Sequence, residues 1–192
     1  MMNQFDDIDH LVQKVKETKL IIGVNGIKGS GKTTIVTCIQ ANIQSHSTII
    51  PFAKPVKEFA SALGWNGIKD DAGRKILQLL GTDIGRNLIH KNIWVYKWLQ
   101  SCLSSDSPII LVDDVRFDNE ASLISDVGGL LVRVTRENND ESYGIIGHES
   151  EQGISVRVDY DILNNGTLSG LNFRLNDLVK SIDAKYSRME LS

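Results

Sequence analysis

Apolar residues fall along this chain in two rhythms, short unbroken runs and stretches with a helical repeat, and the two alternate. Ile8, Leu11, Val12 and Val15 recur at helical spacing and predict a short amphipathic helix over residues 7–18. "LIIGVN", Leu20 to Asn25, shows no polar alternation, which is how a strand buried on both faces reads. "KTTIVTCIQANIQ" predicts a helix, and "STIIPF" a second, short strand. A long helical region follows over 54–103, broken near "GWNG" and "LGTDIG". "SPIILVDD", "GGLLVRVTR" and "VDYDILNN" predict three more strands. Leu171, Leu175, Leu178 and Ile182 predict a packing helix from Leu168 to about Lys185.

Apolar strands alternating with helices imply an α/β fold, a five-stranded parallel sheet with helices on both faces. Ligands in such sheets bind at the carboxyl ends of the strands. The glycine-rich stretch after "LIIGVN", the acids closing "SPIILVDD", the end of "VRVTR" and "NNGT" all fall at such ends. One site is therefore able to use them all. At 192 residues with 41% hydrophobic content, the chain suits a single domain over 1–192 with a sizeable core.

The chemistry concentrates in "GVNGIKGSGKTT". Gly26-x-x-x-x-Gly31-Lys32-Thr33 fits the phosphate-binding loop pattern. Glycines such as Gly26, Gly29 and Gly31 permit positive φ and let backbone N–H groups, with Ser30 and Thr34 in the same run, approach phosphate oxygens. The helix starting near Lys32 turns its positive end to the same anion. Lys32 is expected to reach the β and γ phosphates of a nucleotide, and Thr33 to ligate Mg²⁺. Asp113 and Asp114 close a buried strand, where an acid is able to hold Mg²⁺ through its water shell. We assign this to Asp114, with Asp113 the alternative, and give the fork-like Arg116 to a second phosphate. Asp118 or Asn119 is read as the cap of a helix that Glu120 opens.

Net charge of −3 excludes a basic nucleic-acid-coating surface. Cys38 and Cys102 lack metal-ligand spacing and read as buried thiols of a reducing compartment. The acid-bearing N-terminus does not read as a secretory signal, and no apolar run is long enough to span a membrane. Partners are therefore expected to be small molecules in the cytoplasm. Neither nucleic acid nor membrane is expected, and a homodimer is compatible with the sequence.

"GIKGSGKTT", "FAKPVKEFA", "RKILQLLGTDIGRNLIHKNIWV", "DDVRFDNEA", "VRVTREN", "HESE" and "ILNNGTLSGL" occur in this order. Together they resemble the bacteriophage deoxynucleoside monophosphate kinases, a branch of the P-loop nucleoside monophosphate kinase group, from about residue 20 to 180. The resemblance implies a P-loop three-layer sandwich with a helical acceptor-binding region, about 52–103, and a small lid, about 136–153. It implies transfer of the γ-phosphoryl group of ATP, with Mg²⁺, to a deoxynucleoside monophosphate, in the host cytoplasm if a phage encodes the chain. Where relatives carry an acid after the loop lysine, this chain has Thr33, which favours Mg²⁺.

By the same resemblance, Arg86 and Arg116 take the acceptor phosphate, with Arg74 and Lys54 also on the acceptor side. Gln78 offers an amide to the base edge, although it is equally placed as a solvent-facing helix residue. Phe52, at a predicted strand end, is a better stacking candidate than Trp94, which reads as core. Arg136 resembles a lid arginine that neutralises the transferring phosphoryl group, and Arg133 reads as structural. His148 and Glu151 anchor the lid or contact substrate. "NNGT" at 164–167 forms an adenine-side loop through its backbone, or a plain turn. Kinases of other small phosphorylated acceptors, of the dephospho-coenzyme A or phosphomevalonate type, share the loop and sheet. An ATP-driven switch shares them too. Acceptor-dependent ADP release separates kinases from the switch.

Overall fold

The computed structural model of the protein describes residues 7–136 and 154–191. In chain order the elements are α1 (Ile8–Thr18), β1 (Leu20–Asn25), α2 (Lys32–Asn42), β2 (Ser47–Ile49), α3 (Lys54–Ala62) and α4 (Asp71–Gln78). A π-helix (Leu79–Ile89), α5 (Ile93–Leu103), β3 (Ile109–Val115), α6 (Asp118–Asp126), β4 (Leu130–Thr135), β5 (Tyr160–Leu163) and α7 (Leu168–Glu190) follow. The five strands form one parallel sheet in the order β2-β3-β1-β4-β5. Strand β1 lies at its centre, with Ile22 in register with Leu111 on one side and Leu130 on the other.

Successive strand side chains point to opposite faces, so β1 feeds two cores at once. Leu20, Ile22 and Val24 pack with Ile35, Val36 and Ile39 of α2 and with Leu171, Leu175, Leu178 and Ile182 of α7. On the other face, Ile21 packs with Val15 of α1, Val95, Trp98 and Leu99 of α5, and Ala121, Leu123 and Ile124 of α6. The lack of polar alternation in "LIIGVN" follows directly: both faces are dry. A third, smaller cluster (Val56, Ala60, Leu80, Ile93 and Trp94) holds the helical region between β2 and β3 together.

That region departs from expectation at "LGTDIG". No break occurs there; the backbone continues as the π-helix into "GRNLI". Wide helical turns are rare and need tertiary support. Trp94 supplies it. Its indole Nε1 donates to the Gly81 carbonyl at 2.7 Å, and the ring lies so close to Gly85 that a Cβ there would stand 2.5 Å from it. The two glycines thus seat the π-helix against one tryptophan, whose burial bears out its reading as core. The lid expectation for 136–153 lies outside the described residues except for Arg136. Among the described residues no helix is long and apolar enough to cross a membrane.

Candidate active site

At the carboxyl end of β1 the chain turns into the phosphate loop. Asn25 anchors the turn by donating from Nδ2 to the Val115 carbonyl at 2.8 Å, so the ends of β1 and β3 are held together. Gly31 closes the loop at φ +98°, a left-handed conformation natural only to glycine, and α2 begins at the next residue. The first N–H groups of α2 have no partner within the helix, so they remain available to an anion. The Lys32 ammonium folds over the loop, donating to the carbonyls of Gly26 at 2.7 Å and Ile27 at 2.9 Å. Thr33 and Thr34 are exposed at the start of α2, and Ser30 is buried.

The aspartate pair splits across the sheet. Asp113 Oδ2 accepts from the Thr33 hydroxyl at 3.2 Å, which places a carboxylate and a hydroxyl together beside the loop. Asp114 points the other way and accepts from the backbone N–H groups of Phe52 at 2.7 Å and Ala53 at 3.0 Å. Burial pushes its carboxyl up from the usual carboxylate range, against the pull of those two hydrogen bonds. The expected metal-facing role of Asp114 is therefore not what the geometry displays: Asp114 fixes the β2–α3 turn. Thr33 and Asp113 offer the hard oxygen donors that Mg²⁺ takes alongside water and phosphate oxygens, so the residues present fit that ion.

A second convergence lies at the start of α6. Glu120, 5% exposed, accepts from the backbone N–H groups of Arg116 at 2.9 Å and Phe117 at 3.2 Å. Its other oxygen faces the Arg86 guanidinium at 3.4 Å. Arg86 also lies over the Phe117 ring, 4.3 Å from its centroid. One carboxylate thus joins the Arg86 side chain of the π-helix to the backbone of the β3–α6 turn, from which the Arg116 side chain stands exposed. Asp118 does not cap α6; its Oδ1 instead accepts from Ser155 N at 2.7 Å.

A family model described as deoxynucleotide monophosphate kinase matches residues 66–175, more than half of the chain and the whole span from α4 through β5. The chain belongs to the deoxynucleotide monophosphate kinase family. It is 35% identical over 113 residues to the deoxynucleoside-5'-monophosphate kinase of Escherichia phage T5, covering 52% of this chain and 44% of the phage protein. The aligned part thus spans less than half the length of that relative. A protein of Acanthamoeba polyphaga mimivirus, provisionally named a deoxynucleotide monophosphate kinase, is 29% identical over 179 residues, or 78% of this chain and 90% of the viral protein.

In this member of the deoxynucleotide monophosphate kinase family, Phe52 takes another place than expected. Phe52 is 4% exposed, with its ring 4.4 Å from that of Trp98, so it serves the core and leaves no face for a base. Arg74 is exposed and pairs with Asp71, one turn away on α4, at 3.5 Å. Lys54 pairs with Glu58 at 2.7 Å, and Gln78 is exposed. Arg136 is exposed immediately after β4, and Arg133 faces Asp161 of β5 at 3.8 Å. His148 and Glu151 lie outside the described residues.

Glu120 is the residue that sequence reasoning passed over. A signal was present: Glu120 shares the helical spacing of Ala121, Leu123 and Ile124 and so belongs to the inner side of α6. Desolvation raises its carboxyl to about 7, while the Arg116 N–H and the Arg86 charge pull down and the Asp114 charge pushes up. An acid with a raised folded pKa binds more protons folded than unfolded, so its contribution to stability is lost as pH rises from about 4.5 to about 7. Glu120→Gln is expected to flatten that fall, by up to about 3 kcal/mol between the two limits. Denaturant melts of both proteins across pH 4.5–7 check this, and parallel curves would contradict it.

Proposed function

We propose that this chain transfers the γ-phosphoryl group of ATP to a deoxynucleoside 5'-monophosphate, giving ADP and the diphosphate. The observation that carries the reading is the Glu120 junction. It ties the Arg86 guanidinium to the backbone of Arg116 in the β3–α6 turn, at the carboxyl end of the sheet where the phosphate loop also lies, as an acceptor phosphate opposite ATP requires. The names of the relatives support the same acceptor class.

Phosphoryl transfer asks for positioning and charge neutralisation more than for a covalent nucleophile. Backbone N–H groups of the loop cradle the donor phosphates, and Lys32 places its ammonium between the β and γ positions. Arg86 and Arg116 fork onto the acceptor phosphate, whose attacking oxygen is already ionised near neutral pH, so no general base is required. Thr33 and, in our reading, Asp113 hold Mg²⁺, which neutralises donor charge when bound. Arg136, exposed just after β4, supplies in this reading a further positive charge to the transferring group.

Assay of ADP release with Mg-ATP and a panel of nucleoside and deoxynucleoside monophosphates tests the reading. Release that depends on a deoxynucleoside monophosphate is expected. Release driven only by another phosphorylated acceptor, or independent of any acceptor, would replace it. Arg86→Ala and Arg116→Ala each remove a charge-assisted contact worth about 1.5–3 kcal/mol, so the acceptor KM is expected to rise about 10- to 150-fold. The KM for ATP should change little. Selective loss of ATP affinity would move these arginines to the donor side.

A further inference from the structure

The turn after β5 does more than follow a strand. Asn164 donates from its backbone N–H to the Thr135 carbonyl at 2.8 Å, and from its side-chain Nδ2 to the Ser30 carbonyl at 2.8 Å. The amide also fills the space above Gly31, where an added Cβ would lie 2.2 Å from Nδ2. Ser30 is fully buried, and its hydroxyl makes no hydrogen bond among the described residues, so its own side chain does not orient this peptide.

A trans peptide is planar, with its C=O and N–H pointing in opposite directions. Holding the Ser30 oxygen toward Asn164 therefore turns the Gly31 N–H away from it. Gly31 lacks the Cβ that would otherwise restrict rotation about its left-handed backbone. The peptide that Asn164 grips is thus one whose orientation Gly31 itself leaves open.

We propose that Asn164 is a positioning residue for the phosphate loop. It fixes the Ser30–Gly31 peptide so that the Gly31 N–H serves a polyphosphate, and it couples the loop to the end of β4, one residue before Arg136. This deepens the kinase reading and rests on its phosphate loop. The ligand class that Asn164 serves is the polyphosphate chain, not the base.

Binding of ATP and of inorganic tripolyphosphate, which has no base, is measured by calorimetry for the wild type and for Asn164→Ala. Both dissociation constants are expected to rise about tenfold in the variant, as for a lost hydrogen bond, with the acceptor KM unchanged. Weaker ATP but unchanged tripolyphosphate would make Asn164 a base contact and overturn the inference, as would two unchanged affinities. Asn164→Asp keeps the shape but sets an acceptor against the Ser30 carbonyl. It should lose both ligands at least as strongly, and wild-type affinities there would overturn the inference even if the alanine variant does not fold. A wild type that binds neither ligand removes the phosphate loop itself, and with it both readings. A wild type that binds both but phosphorylates no deoxynucleoside monophosphate removes only the assigned acceptor.

Discussion

Lys32→Ala is expected to slow phosphoryl transfer by about 10²–10³-fold while leaving the melting temperature within a few degrees of wild type. The ammonium folds back over the loop, donating to the Gly26 and Ile27 carbonyls. In a site screened from water such a charge counts for most where negative charge builds up, on the β and γ phosphates. Its loss should therefore depress kcat more than it weakens ATP binding. The core does not depend on it: Lys32 is partly exposed at the first position of α2, and the packing of that helix rests on Ile35, Val36 and Ile39. Steady-state ADP release paired with a thermal melt reads both quantities. Near-wild-type turnover would remove the loop from the mechanism.

Exchanging the acids of the β3 end should separate two jobs. Asp113→Asn is expected to lower kcat by about 10²-fold, with partial recovery at raised Mg²⁺, because a carboxylate charge beside Thr33 is lost. Asp114→Asn should act on stability instead. Its carboxylate accepts two backbone N–H groups, whereas an amide has a single acceptor oxygen and leaves one buried N–H facing an NH₂ group. A loss of about 1–3 kcal/mol in denaturant unfolding follows, with modest change in the Mg²⁺ dependence. The reverse pattern, with Mg²⁺ rescue confined to Asp114→Asn, would return the metal role to Asp114.

The difference between these two acids shows what the sequence could not carry. In an antiparallel sheet with one wet face, polar alternation tells which way each strand residue points. Here helices cover both faces, so adjacent aspartates at a strand end give no parity cue, and only the register of β3 against α2 and the β2–α3 turn decides. β1 and β3 were legible for the same reason, as apolar runs; β1 starts and ends where the pattern predicts. The phosphate loop was legible because its chemistry is local. The π-helix was not, because its wide turns depend on Trp94 reaching back to Gly81 and Gly85. Phe52 was misread because a strand-end position says nothing about Trp98, which lies beside it only in the fold. Arg86 and Arg116 were legible as candidates, but the carboxylate that ties Arg86 to the backbone of the β3–α6 turn read as an ordinary helix-opening acid.

The small cluster around Trp94 gives the molecule two unequal lifetimes. Among the described residues, five buried and three partly buried side chains hold the helices between β2 and β3 together, whereas the sheet is sandwiched between two much larger cores. Local opening of such a unit costs less free energy than global unfolding. Each opening carries Arg86 away with the π-helix, but the loop, braced by Asn25 and Asn164 on the sheet itself, keeps its shape. On the proposed kinase reading, such a state is expected to keep its grip on a donor that it has no means of discharging. Holding the donor is then, on that reading, the durable property and using it the fragile one.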